Sequence, residues 1–82
     1  MLILLFGGAK EEAGVNGVEI SLPFPVTISQ VAKELGERRP ELKSYIASSR
    51  FAVDREIVDL EFVILTDYPN LEIALIPPVS GG

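Results

Sequence analysis

Side chains able to do chemistry are scarce in this chain. It has no cysteine and no histidine, which removes thiolate nucleophiles, disulfides, most zinc sites and the commonest general base. The carboxylate pairs Glu11 with Glu12 and Asp54 with Glu56 remain. Two carboxylates act on a proton or a metal only when buried together or converging on an ion. These fall in expected loops and strand edges and read as solvated surface. Gly7 and Gly8 match neither the phosphate-loop spacing nor the dinucleotide fingerprint and read as a strand end. Tyr45 and Tyr68 read as packing or turn residues.

The C-terminus is different. Its ten residues from Ile73 to Gly82 carry no charged side chain and end in ALIPPVSGG. Pro77 and Pro78 cannot continue a strand ladder and set polyproline-like geometry, so the chain beyond Ile76 should point away from the domain. At about 3.1 Å per residue, six residues reach up to roughly 18 Å, enough to enter a partner's active site. A narrow channel admits backbone without a Cβ where it excludes other residues, which gives Gly81 and Gly82 a purpose. The reacting atom would be the carboxyl carbon of Gly82. A carboxylate is a poor acyl donor, so another enzyme would have to activate it, for example as an acyl adenylate. On the glycine pair alone, an ordinary flexible terminus stays open.

The elements that would present this tail follow from periodicity. Met1 to Phe6 is an unbroken apolar run, expected as a central strand covered on both faces. AKEEAGVNG reads as a polar connection, and VEISL alternates Val18, Ile20 and Leu22 against Glu19 and Ser21 as a half-buried strand. These two strands should pair antiparallel across the longish loop. After PFP, Thr27 is placed as N-cap and Gln30 completes a capping box; Ile28, Val31, Ala32 and Leu35 recur at helical spacing. Pro40 ends this helix by about Arg39 and can open a further short turn in PELKSYI. RFAV and EIVDL flank Asp54 and Arg55 as a tight hairpin. FVIL at 62–65 reads equally as strand or buried connection, TDYPN is a turn, and LEIALI is the last strand. The two apolar terminal strands should lie side by side at the sheet centre, with one main helix across one face. The expected fold is α+β, of which the ubiquitin-like β-grasp is one class, with a domain over 1–76 and a tail over 77–82.

Composition narrows the partners. With 82 residues, 48% hydrophobic and 23% charged, the chain is one small globular domain. A net charge of -5 and scattered basic residues argue against nucleic acid and anionic membranes. The apolar opening lacks a basic n-region and is too short for a signal peptide or a membrane span. Cytoplasm is the expected compartment.

With the tail in view, the chain resembles the small subunit of molybdopterin synthase, the MoaD family of ubiquitin-like sulfur carriers. The family has a first strand ending in Phe, then Ala, an Arg-Glu pair and Gly; LLFGGAKEEAG matches at Phe6, Glu11 and Gly14. The family also has an AVN-x-E hairpin near residue 53 and a terminal IPPVSGG. Gly7 departs from the usual Ala, Lys10 from Arg and Asp54 from Asn, and DYPNLEIALI replaces the usual turn and strand. None of these touches the tail.

The resemblance implies that Gly82 is adenylated by an E1-like adenylyltransferase (MoeB-like) using ATP and Mg, with no cofactor bound by this chain. A sulfur-donating enzyme would convert it to a thiocarboxylate. The large subunit (MoaE-like) would receive the tail, Pro77, Pro78, Val79, Ser80 and Gly81, in a heterotetramer. There Gly82 would donate sulfur to cyclic pyranopterin monophosphate, building the dithiolene of molybdopterin. Phe6, Ile57 and Ile76 would be apolar partner contacts, with core the plain alternative. This chain would be a sulfur-donating, non-catalytic subunit. Competing readings are a carrier for thiazole or tRNA thiolation and a β-grasp interaction module whose tail merely docks.

Overall fold

The computed structural model describes residues 1–78. Its framework is a five-stranded mixed sheet. Strand β1 (Leu2–Leu5) runs parallel to β7 (Ile73–Ile76) at the centre. On one side β2 (Gly17–Glu19) pairs antiparallel with β1; on the other β4 (Arg50–Val53) pairs antiparallel with β7 and with β5 (Glu56–Val58). The order is β2-β1-β7-β4-β5. The expected central pairing of the two apolar terminal strands is therefore present.

One face of the sheet holds the core. Ile3 and Leu5 of β1, Ile73 and Leu75 of β7, Phe51 and Val53 of β4, and Val18 of β2 are buried there. They pack against α2 (Ile28–Arg38) through Ile28, Val31 and Leu35, each fully buried. Fully burying one such aliphatic side chain contributes roughly 1.5–3 kcal/mol. Helix α2 starts as read: Thr27 Oγ1 accepts from the Gln30 N–H at 3.1 Å and Gln30 Oε1 accepts from the Thr27 N–H at 2.8 Å. Pro40 then opens a 3-10 turn (Pro40–Leu42) leading into α3 (Lys43–Ser48), which seats Leu42 in the core.

Two expectations are corrected and one open alternative is resolved. The segment after β1 is not a polar loop but helix α1 (Gly7–Ala13). Ala9 and Ala13, one helical turn apart, face inward, and Gly14 at φ 72 caps the end, its N–H donating to the Lys10 carbonyl. The antiparallel pairing of β1 and β2 stands, with the helix as its connection. Strand β1 is not covered on both faces. Leu2 is 48% and Phe6 46% exposed, because all three helices contribute to the same side of the sheet. Finally, within 62–65 only β6 (Val63–Ile64) is strand, pairing with the two-residue β3 (Val26–Thr27) in a separate small ribbon. Its Phe62 and Leu60 carbonyls accept from the N–H groups of Ile28 and Ser29, binding the ribbon to the first turn of α2.

Candidate functional site

The site is built from the sheet face that no helix covers. Because side chains alternate along a strand, residues directly paired across strands share a face. Leu4 stands beside Ala74, Ala74 beside Ala52, and Ala52 beside Ile57. This forms an apolar row across four strands. Leu2 extends it at one end. At the other, Ile76 pairs with Arg50, and Phe6, one residue beyond the paired Leu5 and Leu75, comes alongside Ile76. The two alanines keep the middle of the row low, while Leu2, Phe6 and Ile57 stand proud and nearly half exposed.

Phe6, Ile57 and Ile76, inferred from resemblance to be partner contacts, thus lie on one surface, and Phe6 is not core. Leu2, Leu4, Ala52, Ala74 and Arg50 belong to the same face and were not singled out in the sequence. The signal that could have found Leu2 and Leu4 is the period-2 alternation of β1, hidden because its residues are apolar on both faces.

The tail departs from this face. Strand β7 ends at Ile76, and Pro77, with no N–H to donate, cannot extend the ladder. Pro77 is half-buried against the start of α1, where a Cβ added to Gly7 would lie 3.3 Å from Pro77 Cγ. Gly7 sits at φ +56, in the left-handed region, so it both turns the chain into α1 and leaves space for the root of the tail. Pro78 is exposed. Val79, Ser80, Gly81 and Gly82 lie outside the described residues.

The carboxylates are arranged as structure and not as an acid–base pair. The hairpin turn places Asp54 at φ 51 and Arg55 at φ 72, a type I′ geometry reached without glycine. Asp54 then ties this turn to the loop before β7. Its Oδ2 accepts from the Tyr68 hydroxyl, its Oδ1 from the Glu72 N–H at 3.0 Å, and its own N–H donates to the Glu72 carbonyl at 2.8 Å. The Tyr68 hydrogen bond, followed by that from Glu72, holds the Asp54 carboxyl below the usual carboxylate range; the Asp54 acceptor raises the Tyr68 hydroxyl. Glu11 and Glu12 are exposed on α1, and no group of three acids able to hold a metal occurs among the described residues. No helix among them is long and apolar enough to cross a membrane.

Comparison with known proteins places this arrangement. The human molybdopterin synthase sulfur carrier subunit is 39% identical over 80 residues, covering 98% of this chain and 91% of its own. Among solved structures, small archaeal modifier protein 1 from Haloferax volcanii superposes with a TM-score of 0.82 at 26% identity, covering 100% of this chain and 98% of its own. In fold alone, the chain also resembles a chain of the complex of subunits 1 and 2 of molybdopterin-converting factor from Helicobacter pylori, with a TM-score of 0.67 at 21% identity, covering 99% and 96%. The ThiS family model matches residues 3–82, nearly the whole chain including its last glycine, and the chain belongs to the ThiS family.

Proposed function

We propose that this chain is the sulfur carrier subunit of a molybdopterin synthase. The observation that carries the reading is the junction at Ile76, where an uncharged tail leaves an uncovered apolar sheet face at its edge. Contiguous exposed apolar surface of this kind marks a protein contact. It supports a docking face and a threaded arm working together, with the large synthase subunit covering the face while the arm enters its pocket. The likeness to relatives named as sulfur carrier subunits supports the same role.

The chemistry then belongs to Gly82. Its carboxylate oxygen attacks the α-phosphorus of ATP, held with Mg by a MoeB-like activating enzyme, and pyrophosphate leaves. Hydrosulfide released by the sulfur-donating enzyme attacks the acyl carbon and displaces AMP, leaving a thiocarboxylate. In the large subunit the sulfur bonds to cyclic pyranopterin monophosphate, and water then cleaves the acyl–sulfur bond, so the sulfur stays on the pterin and the acyl carbon returns to carboxylate. This chain needs no catalytic side chain of its own; it positions one atom, and Pro77 to Gly81 are the arm that carries it. A heterotetramer with two small subunits and residence in the cytoplasm are part of the same proposal.

Intact mass after incubation with ATP, Mg, the activating enzyme and a sulfur source tests it. Exchange of one terminal oxygen for sulfur is the expected result, and an unchanged mass with a competent activating enzyme sinks the reading. Deleting Gly82, or adding one residue after it, should abolish sulfur uptake while leaving affinity for the large subunit largely intact. An interaction module would be indifferent to both changes.

A further inference from the structure

We infer that Arg50 orients the chain on the large subunit by pairing with an acidic group at the mouth of the pocket that receives the tail; this rests on the carrier reading above. Arg50 opens β4 directly across from Ile76, the last strand residue before the tail. Its neighbour Phe51 points into the core, so alternation puts Arg50 on the uncovered face beside Ile76 and Phe6. It is exposed, and it has no ion-pair or hydrogen-bonding side-chain partner among the described residues. The other arginines are engaged: Arg38 with Glu34 at 3.0 Å, Arg39 with Glu41 at 3.3 Å and Arg55 with Glu72 at 3.7 Å.

The position gives that cation two consequences. A partner covering Phe6 and Ile76 also covers or rims Arg50, and a desolvated guanidinium left unpaired is costly, so the partner should offer it a carboxylate. The chain as a whole carries a net charge of -5. An acidic patch on the partner is therefore repelled across most of this molecule and attracted beside Ile76. Such a contrast fixes orientation more than it adds affinity. Orientation matters because the tail has a reach of only about 18 Å, and a rotated docking on the same apolar row would aim it away from the pocket.

The test is binding of the full-length chain to its large subunit at low salt and at about 1 M salt, where the Debye length is about 3 Å. Variants R50Q and R50E are compared with the unaltered chain, and melting temperature verifies that both fold. At low salt R50E should bind at least about tenfold more weakly, because it sets like charges against each other, and R50Q about two- to fivefold more weakly. Both deficits should shrink at high salt. Binding of R50E equal to the unaltered chain at low salt, or deficits of equal size at both salts, overturns the inference. So does loss of adenylation with large-subunit affinity intact, which would assign the contact to the other partner. Failure of the carrier reading itself is a separate outcome, in which the unaltered chain neither takes up sulfur nor binds the large subunit.

Discussion

Asp54 shows how one residue can differ from its family pattern without reaching the site. It replaces an Asn at a left-handed turn position that both residues tolerate, and its carboxylate bonds Tyr68 and the Glu72 N–H. Tyr68 lies in DYPNLE, the other main departure. The two departures are thus one structural unit: the altered loop supplies the donors that the altered turn accepts. The linkage has a definite sign. Asp54 is depressed from its ordinary 3.8, so its stabilisation is full above that pH and lost as pH falls through the lower folded value. Tyr68 is raised from 10.0, so its contribution is full below that pH and lost as pH rises through the higher folded value. Spectrophotometric titration of the phenols should show Tyr68 ionising above the usual range, and D54N should bring it back down. An unchanged Tyr68 titration in D54N would exclude the carboxylate as the cause. Gly7, by contrast, is a departure that does reach the site, because it packs against Pro77 at the root of the tail. G7A forces a Cβ into left-handed geometry and against Pro77, and should destabilise by about 1–2 kcal/mol in urea unfolding.

At the scale of elements, the helix signals were explicit and the strand signals partial. Thr27 and Gln30 make the reciprocal cap that their spacing announces, and T27A should cost about 1 kcal/mol, read from the urea midpoint at constant slope. Helix α1 is hidden in the sequence because it is only seven residues long, opens on two glycines and is mostly polar. Yet its ingredients were present: Ala9 and Ala13 four apart, Lys and Glu between them, and Gly14 to end it. The ribbon of β3 and β6 was not legible, since two-residue strands carry no period and exist only because the chain after Phe62 is brought back to the N-terminus of α2. The apolar face was half legible. Resemblance points to Phe6, Ile57 and Ile76, but alternation within LILL cannot say which side a helix covers, so only the fold assigns Leu2 and Leu4 to this face.

For the whole molecule, the division of labour between the two sheet faces is the property to test. The inner face, with Ile3, Leu5, Leu75 and Leu35 fully or nearly fully buried, holds the fold; the outer face, with Ile57 nearly half exposed, contributes little to it. An inner truncation such as L35A removes buried methyl groups and leaves a cavity, and should cost about 2–5 kcal/mol, a large fraction of what a domain this small has. Its affinity for the large subunit, corrected for the folded fraction, should remain near that of the unaltered chain. I57D should do the reverse. At an exposed edge position it should shift stability by about 1 kcal/mol or less, while placing a charge against an apolar partner surface should weaken binding by about 2 kcal/mol or more. Urea unfolding and calorimetric titration on the same two variants separate the cases. If I57D unfolds the chain, or if it binds normally, the outer face is not a docking surface, and the tail would have to find its pocket unaided.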